Sequence, residues 1–498
     1  MGIIIRQSIK SSIVTYVGVV IGTINVLYLY NEFLDFEQFG LYVTLTSFPL
    51  VFAGIASLGT PLVGVRFFNQ FSDEDNEHNG YLGYLLITPF IGFIAFIIGY
   101  WLFQSQFAEI YSKNSPLLIR YFWVFPIITF FMIYLSIFEA YCRVHLRIVV
   151  PAIIRELFLK LSNSLLAILF GFKLINFDQL VGGIVLMYAL AVFFIVIYIK
   201  ILGRLYLNFD FSFLKKPIFK QMYTYGFYTM LGGIAGIILP HIEKLMLPAF
   251  SGGLKTTAIF NIAASIGLVI SIPRNTISAI SDPLLAESWQ KKDLAHIKEI
   301  YQKSALNLLI IGIFLFLGIW CNIDSIFEIL PKSEIYKEGK WVVLMVSIYC
   351  VFDMATGLNS EILKNSDYYK YDFSFYVIRC ILLIIANLVL IPLYSFNGAA
   401  FAMLVSIVIY NIIKFFFIKS KINIQPFSNQ TLIVLFIGIV TYLVTLILPS
   451  FESAFLNILV KSITICLVFG LGIFYSKVSQ DINNTVNSIK TRFLKIKS

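Results

Sequence analysis

Eight ionisable side chains of this chain lie within or at the ends of long apolar segments, where they could do chemistry. Arg66, Arg155, Lys160, Arg274 and Arg379 are candidates to bind an anionic substrate. Asp353, Glu243 and Glu361 are candidates to couple transport to an ion. A charged group in hydrocarbon costs about 3 kcal/mol or more unless it faces protein or water, so each must have a function or a partner. A buried carboxylate can take up a proton or sodium in one conformation and release it in another. Plainer alternatives stand beside each reading. Glu156 and Lys160, at i and i+4 with Asn163 at i+7, can simply pair, and Arg155 can snorkel to the interface. Arg66 and Arg274 can be interfacial anchors, and Asp353 can pair with a cation on a neighbouring helix. Glu243 can pair with Lys244 or face the outer mouth. Glu139 and Glu361 can serve a cytoplasmic gate or sit at the interface.

The elements that must position these groups follow from hydropathy. About fourteen apolar stretches can be read, at 8–30, 40–66, 81–103, 118–140, 149–171, 179–202, 222–247, 256–281, 304–327, 341–362, 373–393, 397–419, 430–449 and 454–475. A run of about 20 such residues spans the bilayer as a helix, and only helices or closed barrels satisfy the backbone in lipid. The runs are too long and continuous for barrel strands. Composition agrees, with 59% hydrophobic and 13% charged residues, against about 25% charged in soluble proteins. The reading is an all-α polytopic membrane protein.

The net charge of +10 is explained by topology. With both termini inside, about 26 of the 37 Lys and Arg fall on cytoplasmic ends, Lys10, Lys200, Lys291, Lys292, Lys364 and Lys414 among them. This is the positive-inside pattern, and it argues against a nucleic-acid partner. The N-terminus lacks a short h-region ending in a small-residue cleavage site and reads as a retained first helix. The five cysteines read as small hydrophobes, and His78, His145, His241 and His296 have no metal-ligand spacing, so no metal is expected. No Walker or Rossmann fingerprint occurs, so no nucleotide cofactor is expected. The acidic stretch from Ser72 to Glu77 reads as a solvated cytoplasmic turn.

Small and polar residues mark the faces that helices turn to one another. In the first stretch Ser8, Ser11, Thr15, Gly18, Gly22 and Asn25 share one face, and Gly226, Thr229, Gly233, Gly236, Pro240 and Glu243 repeat that stripe 218 residues later. The same offset carries Gly40-Leu41-Tyr42 onto Ala258-Ile259-Phe260, and offsets of 222 and 224 relate Glu139 and Arg155 to Glu361 and Arg379. Six stretches per copy give a parallel repeat about an axis along the membrane normal. The expected organisation is a six-helix lobe over 1–216, a second over 217–425, two added helices over 426–476 and a cytoplasmic tail over 477–498. Two facing bundles leave a cleft suited to a transported substrate.

Several stretches carry a family likeness. Phe39-Gly40-Leu41-Tyr42 opens the second stretch, and Leu58-Gly59 with Val65-Arg66-Phe67 closes it. Tyr225-Gly226-Phe227 begins the seventh, which later carries Glu243-Lys244, and Ile259-Phe260-Asn261 opens the eighth. Leu390-Ile391-Pro392-Leu393-Tyr394 with Asn397-Gly398-Ala399-Ala400 follows the same pattern, except that Ser395 stands where a Gly is usual. In these motifs the chain resembles the polysaccharide-exporter branch, O-antigen flippases included, of the multidrug/oligosaccharidyl-lipid/polysaccharide exporter superfamily.

The resemblance implies a V-shaped, fourteen-helix carrier in the bacterial inner membrane. It would move undecaprenyl-pyrophosphate-linked oligosaccharide to the outer leaflet by alternating access, for O-antigen or lipopolysaccharide-type surface polymers. Proton or sodium coupling and contact with polysaccharide assembly machinery belong to the same expectation. A sugar-pyrophosphate headgroup needs a hydrated, cationic cleft and a lateral opening for its tail, and Arg155 with Arg379 would suit the pyrophosphate. The rival readings are a peptidoglycan-precursor lipid flippase, a drug exporter, for which two helices are surplus, and a membrane enzyme acting on lipid-linked sugars. The enzyme reading is the weakest, because the longest outward connection, 322–340, has no catalytic pair of carboxylates.

Overall fold

In the computed structural model the described residues are 2–71, 77–209, 211, 216–250, 252–481 and 483–484. Lys215, most of the acidic stretch from Ser72 and most of the C-terminal tail lie outside them. Every regular element among the described residues is helical, and the chain is a multi-pass membrane protein. Among the described residues ten helices are long and apolar enough to cross a bilayer, or eleven when one bent pair is taken as a single span. This count does not reach the expected fourteen. It takes the eleventh and twelfth stretches as one helix, and it omits the fifth, which carries Arg155, Glu156 and Lys160, and the seventh. The contacts divide the chain into two compact units, Met1–Ala258 and Ile259–Ser498.

In the first unit, helix Gly2–Ile24 widens into a π-helical turn at Asn25–Leu29. The second stretch starts at a capping box between Asp35 and Gln38, runs as Phe36–Ala56, and restarts as Thr60–Phe71. The break is made by Leu58 and Gly59, both at positive φ. A Cβ on Gly59 would lie 2.3 Å from the carbonyl oxygen of Gly226, so two of the family motifs meet backbone to backbone. The fifth stretch also has an interruption, a π-helical turn at Ile153–Phe158 between Val149–Ala152 and Leu159–Gly171.

In the second unit, the tenth stretch is broken. Helices Lys340–Ala355 and Asn359–Asn365 lie on either side of Gly357, which has φ +68°, within a pair bent by 47°. The 53 residues Tyr369–Lys421 form a helical hairpin that turns at Ser395 (φ 53°, ψ −135°). Its arms run antiparallel, with the rings of Tyr376 and Tyr410 6.1 Å apart and those of Tyr371 and Phe417 4.9 Å apart. A Cβ on Gly398 would lie 2.0 Å from the Leu390 oxygen, which explains the glycine there.

The last two helices, Asn429–Ile447 and Ala454–Ser476, pack on the ninth stretch through Ile313, Leu317, Val434 and Phe469. Lys461 adds a hydrogen bond from its Nζ to the Cys321 carbonyl at 3.0 Å.

Ser395 holds a backbone conformation that is essentially glycine's, at a strain of about 1–3 kcal/mol. Ser395→Gly removes that strain at an entropic cost of about 0.5–1 kcal/mol. The expected result is a protein about 1 kcal/mol more stable, read as a higher melting temperature in detergent. A lower melting temperature would contradict the strain.

Candidate functional site

The first unit gathers its charges around the π-helical turn of the fifth stretch. Arg155, inside the turn, places Nε 3.0 Å from the Glu139 carboxylate, and its side chain stays 45% exposed. It lines a cavity of about 300 Å³ with Gly54, Ser57, Gly59, Ser136 and Thr229. Leu50, Leu62, Met132, Met230 and Ile237 make the rest of the wall apolar, and a cation there, held by one carboxylate, can still offer its remaining N–H donors to an anion.

Its neighbours face elsewhere. Lys160 Nζ is 2.7 Å from Glu156 and donates to the Gly18 carbonyl at 3.0 Å. A Cβ on Gly18 would come within 2.8 Å of Glu156. The Glu156–Lys160 pair is therefore formed and seats the glycine stripe of the first stretch. The repeated stripe in the seventh does different work, because a Cβ on Gly233 or Gly236 would meet nothing within 4 Å, and Thr229 and Gly233 line the Arg155 cavity.

Arg66 is exposed, its guanidinium 4.3 Å from the Tyr225 ring centroid. Glu243 is buried in the short helix Ile242–Met246. Side chains hold that segment in place: Tyr111 Oη donates to the Leu245 carbonyl at 3.0 Å, and Ser115 Oγ to that of Pro248 at 2.6 Å.

The second unit holds a larger network. Arg274 Nε lies 2.9 Å from Asp353, and Arg274 Nη2 lies 4.0 Å from Glu361, which also accepts from Ser278 Oγ at 2.5 Å. Asn411 donates to Asp353 at 3.1 Å and accepts from Asn359 at 2.8 Å. Lys414, with no exposed surface, pairs with Asp372, donates to Ser360 Oγ at 2.6 Å and lies over the Tyr410 ring. Arg379 donates to Tyr349 Oη at 2.9 Å, with its guanidinium over the rings of Tyr349 and Tyr410. The break at Gly357 lets Asn359, Ser360 and Glu361 all turn into this network. Three cations and three carboxylates balance.

Of the residues expected from sequence, the structure brings together Arg274, Asp353, Glu361 and Arg379 in one network, and Arg155 with Glu139. The relation of Glu139–Arg155 to Glu361–Arg379 is not repeated as a contact, since Glu361 is held by Arg274 and Ser278. Lys414, read from the sequence as a cation at an inward-facing helix end, is a fully buried ion-pair partner. Asp372, Asn411 and Tyr410 were also missed. Asp372 lies one residue before an apolar stretch, and nothing in the sequence shows which way it faces.

Interrupted helices around buried, partnered charges form an architecture used by membrane carriers. The family model for polysaccharide biosynthesis proteins matches residues 4–289, and the chain belongs to that family. An uncharacterized membrane protein of Methanocaldococcus jannaschii is 21% identical over 268 residues, covering 53% of this chain. The match spans about half the length of that relative, 52%.

Among solved structures, the fold is similar to that of the lipid II flippase MurJ in an inward closed conformation. The TM-score is 0.71 at 15% identity, over 95% of this chain and 100% of that one. It is also similar to an inward-facing multidrug resistance MATE family transporter of the MOP superfamily. There the TM-score is 0.66 at 14% identity, over 82% of this chain and 94% of that one.

Proposed function

We propose that this protein is a flippase that carries a polyprenyl-pyrophosphate-linked oligosaccharide, the undecaprenyl form in a bacterium, across the cytoplasmic membrane for cell-surface polysaccharide synthesis. It acts as a carrier and not as an enzyme, with both termini cytoplasmic. The observation that carries this reading is Arg155: half-exposed, oriented by Glu139 and set as the one cation among the described residues lining a largely apolar cavity that also presents Ser57, Ser136 and Thr229. Membership of the polysaccharide biosynthesis family supports the substrate class.

In this reading Arg66 and Arg155 of the first unit meet the pyrophosphate and Lys160 holds their surroundings; Arg379 and Arg274 are the anion-binding candidates of the second unit. Asp353 and Glu361 respond to a coupling proton or sodium by releasing Arg274, and Glu243 is a second coupling candidate. Surface-polymer assembly proteins are the natural partners. The fold likeness to MurJ favours one second reading, a flippase for a peptidoglycan-precursor lipid.

The test is flipping in proteoliposomes of a fluorescent undecaprenyl-pyrophosphate oligosaccharide, a peptidoglycan-precursor lipid and, as a drug control, ethidium. The oligosaccharide lipid is expected to flip, with Arg155→Ala slowing it about tenfold to a hundredfold, the worth of one charge-assisted contact. Asp353→Asn is expected to remove only the gradient-driven component. Flipping of the precursor lipid alone selects the second reading, and transport of ethidium alone overturns both.

A further inference from the structure

The side chain that carries the proposed function sits in an irregular turn, and the structure shows what keeps the turn irregular. Ile153–Phe158 is π-helical. Such a turn holds one residue more than the α-helix, so closing it rotates one flank against the other by about 100°, the angle of one residue. The C-terminal flank is tied down by Lys160 and Ser164. A closing turn therefore moves Arg155 off Glu139 and the cavity.

The turn itself lies against Gly18 of the first stretch; just past it, against the helix that carries Lys160 and Ser164, stands the π-helical turn of the first stretch, whose leading residue is Asn25, 3% exposed. Asn25 Nδ2 donates to the Lys160 carbonyl at 3.1 Å, and its Oδ1 accepts from Ser164 Oγ at 2.7 Å. One amide thus holds two points on the fifth stretch just beyond its π turn. Asn25 Nδ2 also donates to Tyr30 Oη at 3.4 Å, where a second arm begins: it runs through Tyr30 and Tyr42 Oη, 3.1 Å apart, to Asn163, which donates to Tyr42 at 3.3 Å. This arm does not touch the Lys160 carbonyl. π turns of this kind recur at functional sites.

We infer that Asn25 is a positioning residue: its amide fixes the fifth stretch just beyond its π-helical turn and so holds Arg155 toward the cavity. The consequence for transport rests on the flippase reading; the positioning itself does not.

The experiment separates the two. In full-length Arg155→Cys protein, the thiol is labelled with a hydrophilic methanethiosulfonate and followed by peptide-resolved mass spectrometry, which leaves the native cysteines in place. Adding Asn25→Ala is expected to change the labelling rate at position 155 about tenfold, the effect of losing its hydrogen bonds to Lys160, Ser164 and Tyr30, while adding Asn163→Ala leaves it within about twofold. Asn25→Asp keeps the acceptor for Ser164 and loses the donor to Lys160. It is expected to shift labelling in the same direction and serves if the alanine variant does not fold.

With Arg155 intact, Asn25→Ala is expected to slow lipid flipping as much as Arg155→Ala, with no further loss in the double variant. Unchanged labelling in a folded Asn25 variant overturns the inference. Altered labelling in a protein that flips no lipid leaves the positioning standing and overturns only the flippase reading.

Discussion

Lys414→Met is expected to cost about 3–5 kcal/mol, because it strands the Asp372 carboxylate, 20% exposed, without its cation. The double variant Lys414→Met, Asp372→Asn removes both charges and is expected to recover all but about 1–2 kcal/mol, the remainder being lost hydrogen bonds to Ser360 and its neighbours. Thermal unfolding followed by size-exclusion fluorescence in detergent reads both. As a control, Glu287→Gln breaks the exposed pair with Lys291 and is expected to leave the melting temperature unchanged. A Lys414→Met protein as stable as wild type would show that the pair is not formed in the membrane.

The second large effect is expected at the break in the second stretch. Gly59→Val forces a β-branched residue into φ +71°, at about 1–2 kcal/mol. It also drives a methyl-bearing carbon into the Gly226 carbonyl, where the Cβ position lies only 2.3 Å from the oxygen. Displacing that backbone adds about 1–3 kcal/mol. The expected sum is about 3 kcal/mol or more, seen as loss of monodisperse protein after extraction. Gly236→Ala is the contrast: its Cβ would meet nothing within 4 Å, and a change within about 0.5 kcal/mol is expected. Equal losses in both variants would mean that the close approach of Gly59 to Gly226 does not set that position apart.

Much of the architecture was legible because hydrocarbon restricts what a backbone can do. Long apolar stretches became helices, and the interruptions fell where Leu58-Gly59, Gly357 and the Tyr394-Ser395 turn had left glycine or a departure from a motif. Candidate charges were legible because they are expensive in an apolar run. Their partners were not, since pairing depends on how helices face one another.

Lys414 shows the difficulty: near the end of an apolar stretch, it had the sequence appearance of an interfacial lysine, yet the hairpin folds it against Asp372. The π-helical turns at Asn25 and Ile153 had no sequence signal either, because no proline or glycine lies inside them. The expected repeat does not extend to contacts. At its offsets Ala56 and Phe131 stand where Arg274 and Asp353 would be matched, so Glu139 pairs with Arg155 whereas Glu361 lies by Arg274.

The neutrality of the second unit's network bears on how relatives of this protein can diversify. Arg274, Arg379 and Lys414 against Asp353, Glu361 and Asp372 sum to zero, and an odd charge left in a low-dielectric interior is penalised more heavily than a missing pair. A lineage losing any one of the six passes through an impaired intermediate unless a second changes with it. Descendants are therefore expected to lose or exchange these residues two at a time, leaving a correlated signature across a family whose other helix positions drift one by one.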